Sequence, residues 1–216
     1  AADPLAAAFQ PPLQPGAEVR WLPAATTSEL ESQAVLANRG GGLYRLQLAK
    51  GGSRPELAAA AEAQANDYQL TSNVAITGSH VFVGSEKGTL ATFRLPALTQ
   101  TDDVPLSGRV VWGPFLANDV VLVATDAGRL HAIAETREES WNVELTEGDL
   151  VGDPDISNKT ALLAYRRGVV EKRQLADGAV AGRIDVAQPL ASGPVRFRSR
   201  YVLAAHDGTI LVVNEP

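Results

Sequence analysis

Val120–Ile133 reads VVLVATDAGRLHAI. A short apolar run, a polar turn ending in Gly128 and a second, alternating apolar run make the pattern of a β-hairpin. The pattern recurs. Gly88, Gly128, Gly168 and Gly208 stand 40 residues apart, and Gly41 stands 47 before Gly88. Two residues after each glycine come Leu43, Leu90, Leu130, Val170 and Ile210. Six before it come Val35, Phe82, Leu122, Leu162 and Val202, and five before it Leu36, Val83, Val123, Leu163 and Leu203. Four before it every residue is small: Ala37, Gly84, Ala124, Ala164 and Ala204. A small side chain at a fixed strand position implies close approach of a neighbouring sheet, where a larger one would overpack. The glycine itself is expected at positive φ in the turn. Pro114, Pro154 and Pro194, again 40 apart, are expected to start strands, because proline cannot donate to a ladder.

A unit of about 40 residues made of short strands is the period of a β-propeller blade, and such units bury one another's faces by stacking. The expected fold is all-β: a five-bladed β-propeller of four-stranded antiparallel blades over residues 18–216. Residues 1–17, rich in alanine with Pro4, Pro11, Pro12 and Pro15, read as a linker or extended arm. Val19–Pro23 (VRWLP) is a strand candidate outside any complete repeat, and the last repeat stops soon after its third strand. The N-terminal strand is therefore expected to complete the last blade and close the ring, leaving no open edge. Within the first blade, Pro55–Asn66 (PELAAAAEAQAN) sets helix propensity against repeat register, and register favours an outer strand.

The 216 residues are 45% hydrophobic and 20% charged, ordinary for a soluble globular domain. The longest apolar runs are far short of the roughly 20 residues a membrane-spanning helix needs. A net charge of −6 argues against a general nucleic-acid binder. With no cysteine there is no disulfide, thiol catalysis or thiolate metal site, and with no methionine the chain reads as a processed form or excised segment.

The segment Leu130–Trp141, LHAIAETREESW, resembles the quinoprotein-like (PQQ-like) propeller repeat, with Ala134, Glu135 and Thr136 at its turn and Trp141 at its docking tryptophan. The next repeat keeps the turn as Leu175–Gly178 but has Ala181 at the tryptophan position, and the second has Thr101. Trp21 is the candidate docking residue for the last blade. The resemblance implies a tryptophan packed between blades and a scaffold built like the BamB-type proteins of bacterial envelopes. It implies a periplasmic or envelope location, with the cytoplasm as the alternative. It does not imply a bound quinone: the dehydrogenases that carry one are larger, and use a vicinal cysteine pair and a calcium site that this chain does not offer. No cofactor is expected.

Chemistry is sparse. His80, His131 and His206 fall at three different repeat positions, so no metal site converges from them, and each is expected at the surface or in a turn. Asp153 and Asp155 flank Pro154 at the start of an inner strand, where a carboxylate could face a channel. Gly113, Gly193 and Asn73 hold the position of Asp153 in neighbouring repeats, so a glycosidase pair of carboxylates is not assembled by the repeat. Arg196, Arg198 and Arg200 alternate and would share one face of a continuous strand. With Arg166 and Arg167 they oppose an acidic stretch from Glu135 to Asp155, an arrangement suited to steering a partner. Gly-x-Ser-x-Gly is absent, and Gly40–Gly42 sits in a hairpin turn rather than before a helix. The expectation is a non-enzymatic protein- or peptide-binding scaffold. The alternatives are a channel-centred carbohydrate-active enzyme using Asp153, and a segment of a larger propeller forming an open arc.

Overall fold

The computed structural model describes residues 25–26, 33–49, 56–65 and 69–216. The arm 1–17, Val19–Pro23 and Trp21 lie outside the described residues. The chain divides into two compact units, Ala1–Pro105 and Leu106–Pro216.

The first unit holds two sheets. One runs β1 (Ala25–Thr26), β2 (Gln33–Ala37), β3 (Gly42–Ala49), β4 (Glu56–Gln64) in that order. Strand β4 settles the conflict in Pro55–Asn66: its residues pair along all of β3, from Gly42↔Gln64 to Ala49↔Glu56. A long partner strand supplies a full ladder, and tertiary pairing overrides alanine's helix propensity. The other sheet runs β5 (Leu70–Ile76), β6 (His80–Ser85), β7 (Thr89–Arg94), with the fourth position split between β8 (Thr99–Gln100) and β9 (Val104–Pro105), both paired with β7. The split falls at Thr101–Asp103, where Thr92 Oγ1 takes up Thr101 Oγ1 at 2.6 Å and donates to Asp102 O at 2.7 Å.

The second unit holds three. They are β10 (Val110–Ala117), β11 (Val120–Thr125), β12 (Arg129–Ala134), β13 (Glu139–Glu144); then β14 (Asp155–Ile156), β15 (Thr160–Ala164), β16 (Val169–Gln174), β17 (Val180–Asp185); then β18 (Val195–Phe197), β19 (Arg200–Ala204), β20 (Ile210–Asn214). Every ladder is antiparallel, and among the described residues β18–β20 is the sheet with three strands.

The repeat glycines make one turn five times. Each donates its amide to the carbonyl three residues back, at 3.0–3.3 Å, with φ between +71° and +101°. That is the left-handed region where glycine carries no Cβ penalty. The expectation for proline needs correction. Pro154 and Pro194 do precede β14 and β18, but Pro114 lies inside β10, where the register shifts between Trp112 and Phe115. At a bulge the missing amide proton leaves no ladder bond broken.

Stacking buries the repeat columns as the small-residue column implied. In the first unit Val35, Ala37 and Leu43 of one sheet pack with Val81, Val83 and Phe93 of the other. In the second, Leu122, Ala124 and Leu130 pack with Ala161, Leu163 and Tyr165 of the next sheet, and Leu162, Ala164 and Val170 with Tyr201 and Leu203 of the one after. Each fully buried leucine of this kind contributes about 1.5–3 kcal/mol. The 40-residue translation also appears as hydrogen bonds between equivalent positions: Trp112 Nε1 donates to Gly152 O, and Asn118 Nδ2 to Asn158 O, each at 2.6 Å.

Candidate functional site

Of the five charged residues singled out by sequence, the fold joins two. Asp155 opens β14 and Arg196 lies in β18 of the next sheet. Arg196 Nη2 donates to Asp155 Oδ2 at 2.5 Å and Nε at 3.2 Å, and Tyr201 Oη donates to the same oxygen at 3.2 Å. The guanidinium lies over the Tyr201 ring, 5.2 Å from its centroid. Burial and then the Asp155 charge push the Tyr201 hydroxyl up to about 12, so it remains a donor at neutral pH. Donating to the Asp155 carboxylate makes Arg196 a still weaker acid. This cluster clasps two sheets, and its charges are spent on each other.

The other three stand apart. Asp153 is exposed, and its backbone is pressed by Gly193, where a Cβ would lie 2.1 Å from Asp153 O. Arg198 falls in the β18–β19 turn at φ +58°, with its guanidinium 5.6 Å from the Phe197 ring centroid. Arg200 opens β19 opposite Phe197. The alternation of the three arginines therefore does not place them on one face. The strand breaks at Arg198, and the hairpin puts Arg196 opposite Tyr201 and Arg200 opposite Phe197.

The last sheet differs from the rest in what it leaves open. Two residues after the repeat glycine, Leu43, Leu90, Leu130 and Val170 are 0% exposed, whereas Ile210 is 62% exposed. Val212, Val195 and Phe197 on the same sheet are exposed as well. The register Val195↔Val202, Phe197↔Arg200 and Val202↔Val212 puts all of them on one face, with Arg200 at its edge.

Sequence reasoning missed one constellation. His131 was expected at the surface, but it lies within β12 and is 3% exposed. Its strand neighbours Leu130 and Ala132 point to the opposite face of β12, while Ile133, on the same face as the ring, is also fully buried, so both faces of the strand are covered. His131 Nδ1 donates to Glu139 of β13, and Nε2 faces Ser107 Oγ at 2.9 Å. Asn142 Nδ2 donates to the other Glu139 oxygen at 2.8 Å, and Thr125 Oγ1 lies 3.1 Å from Ser107 Oγ. Desolvation works against ionisation of Glu139, but the bonds from His131 and Asn142 outweigh it and hold the carboxyl below its ordinary range. Ser107 lies in an exposed loop ahead of β10. A histidine in the middle of a buried strand was the available signal, since such a ring must find partners for both nitrogens.

Trp141 lies at the junction of two sheets. Its Nε1 donates to Leu175 O at 2.8 Å, and its ring covers Gly178, where a Cβ would fall 2.7 Å from the indole. Among the described residues no three His, Cys, Asp or Glu side chains gather as a metal site.

A family model described as outer membrane protein assembly factor BamB matches residues 94–215, more than half of the chain. The chain belongs to that family. BamB from Moraxella catarrhalis is similar in fold at a TM-score of 0.63 and 15% identity, over 85% of this chain and 55% of that one. The computationally designed Ika8 protein gives 0.69 and 13% over 85% and 56%, and the WD40 propeller domain of Doa1 gives 0.65 and 13% over 92% and 66%. At such identities the likeness is one of β-propeller fold. The chain spans little more than half the length of the BamB and Ika8 chains. No curated protein matches it in sequence. The BamB-family match runs from the end of β7 through β20, and so takes in the Trp141 dock, the Asp155–Arg196 clasp and Ser107, His131 and Glu139.

Proposed function

We propose that the chain is a protein-interaction scaffold of the bacterial cell envelope, acting in the assembly of outer-membrane proteins. The family match over residues 94–215 carries this reading. The fold agrees with it: within each unit, sheets packed against one another hold loops that are free to vary. Among the described residues no helix is long and apolar enough to cross a membrane. The purified chain should bind an unfolded outer-membrane β-barrel protein, kept soluble in dilute urea, with a Kd on the order of micromolar, about −8 kcal/mol. Saturable quenching of its tryptophan fluorescence would report this, and the absence of saturation at hundreds of micromolar would overturn the reading.

The finer architecture belongs to the same proposal. The five sheets are the blades of one propeller, and Val19–Pro23 supplies the fourth strand beside β20. The three-stranded last sheet and the open face around Ile210 support it. Closure would cover that face in solution. Leu130→Ala should cost about 2–5 kcal/mol as a core truncation. With the ring closed, Ile210→Ala should cost a comparable amount in chemical denaturation, and a cost under about 0.5 kcal/mol, as at an exposed site, would mean that the face stays open.

A further inference from the structure

We propose that Ser107, His131 and Glu139 form an acyl-transfer site that hydrolyses small, activated esters. The inference is independent of the scaffold reading and rests on geometry within the second unit alone. Three features define such a site: a nucleophile within hydrogen-bond reach of a base, the base oriented by a third group, and the right proton polarity. All three are present. Ser107 Oγ is 2.9 Å from His131 Nε2 and lies in an exposed loop residue, where a substrate carbonyl can reach it. His131 donates its Nδ1–H to Glu139 in a hydrogen bond, which fixes the tautomer whose Nε2 carries a lone pair. That lone pair faces the serine hydroxyl, as a general base must.

The supporting groups hold this arrangement. Asn142 Nδ2 fixes the free oxygen of Glu139, and Arg129 in turn holds Asn142 Oδ1 through Nε at 2.9 Å. Glu139 is kept ionised at neutral pH by the same bonds, so it can balance the positive charge that His131 gains in the reaction. Thr125 Oγ1 at 3.1 Å can donate to Ser107 Oγ, leaving the serine proton for Nε2. Gly108 follows the serine. A Cβ there would fall 2.4 Å from Asp126 Oδ1, in a carboxylate held by Arg109, so the loop requires glycine beside the nucleophile.

The steps balance without any further reagent than water. Ser107 Oγ bonds to the ester carbonyl carbon and its proton passes to His131 Nε2. The carbon–oxygen bond to the alcohol breaks, and the departing oxygen takes that proton. Water then attacks the acyl-serine, gives a proton to Nε2, and the acid leaves as Ser107 recovers its hydrogen. Glu139 touches no substrate and is a positioning residue.

The test uses the whole chain with p-nitrophenyl acetate and, separately, a fluorophosphonate probe. The serine oxygen would bond to phosphorus with loss of fluoride. Wild type should release nitrophenolate about 100-fold faster than an equal concentration of the Ser107→Ala variant, the scale of general-base assistance. Peptide mass spectrometry should find the phosphonate on Ser107. His131→Asn and Glu139→Gln should each slow labelling at least tenfold with melting temperatures checked alongside, and Ser107→Cys should restore an acyl-enzyme burst. A network that only stitches strands together would alter melting and leave no adduct. No adduct on Ser107, or an adduct forming as fast without His131, would overturn the proposal.

Discussion

Three residues after the repeat glycine stands His131 in one sheet and Glu171 in the next, and both are buried. The two sheets satisfy these polar groups in opposite ways. Around His131 the partners lead outward, to an exposed serine and a carboxylate that is 38% exposed. Around Glu171 they lead inward. Tyr165 Oη donates to Glu171 Oε2 at 2.7 Å, Arg173 Nη2 meets the same oxygen at 2.7 Å, and Arg173 Nη1 donates to Gly178 O at 2.9 Å. All three side chains are buried. Burial, followed by Glu171, drives the Tyr165 hydroxyl well above its usual range. The repeat thus fixes where a strand residue points, and leaves open whether a polar group there is answered by solvent-facing chemistry or by an internal ion pair. The inward solution has a second consequence: Arg173 holds the carbonyl of Gly178, the residue on which Trp141 packs.

The largest break in this comparison should come from Arg173→Met. It leaves the Glu171 carboxylate buried without a cation, and the expected loss is about 3–5 kcal/mol in urea unfolding. Adding Glu171→Gln should recover most of that loss, since the penalty belongs to the uncompensated charge and not to the missing pair. If the double variant is no better than the single one, the pair is not the unit of burial. Trp141→Ala should follow at about 2–3 kcal/mol, below the range for a fully buried aromatic because the indole is only half-buried. Tyr165→Phe should cost about 1 kcal/mol, because it removes one hydrogen bond while Arg173 still serves Glu171.

The periodicity carried the fold because it is written in residues with one steric meaning each. A glycine every 40 residues specified the turn, and Ala37, Gly84, Ala124 and Ala164 specified where sheets approach. Even Glu56–Gln64 was legible as a strand against its own propensity, since register constrained it more than composition did. The candidate site was legible only in part. Asp155 and Arg196 were both selected by sequence, but their pairing depends on two strand starts from different sheets, 41 residues apart. Arg198 misled because alternation predicts a shared face only on an unbroken strand, and the turn at φ +58° breaks it. Ser107, His131 and Glu139 share no motif spacing. They meet because a loop, a central strand and an outer strand converge, which is a property of topology and not of any local stretch.

The smallest and most diagnostic difference lies in acid. Glu139 is held below its ordinary range in the folded chain, chiefly against desolvation, by bonds from His131 and Asn142 and by the charges of His131 and Arg129. The unfolded chain therefore binds more protons between the two values. The stability that Glu139 contributes is present above the ordinary glutamate value and is lost as pH falls through the lowered one. Glu139→Gln should flatten this part of the stability–pH curve without moving the plateau at neutral pH by more than about 1 kcal/mol, because the side chain is partly exposed and screened by water. Salt sharpens the contrast. At about 1 M the Debye length is near 3 Å, so the acid limb that Glu139 provides should shrink, while the penalty for Arg173→Met, set in the interior, should persist. An acid limb unchanged by Glu139→Gln would mean that the carboxylate is not engaged by His131 in solution, and the outward network would then have lost the group that orients its base.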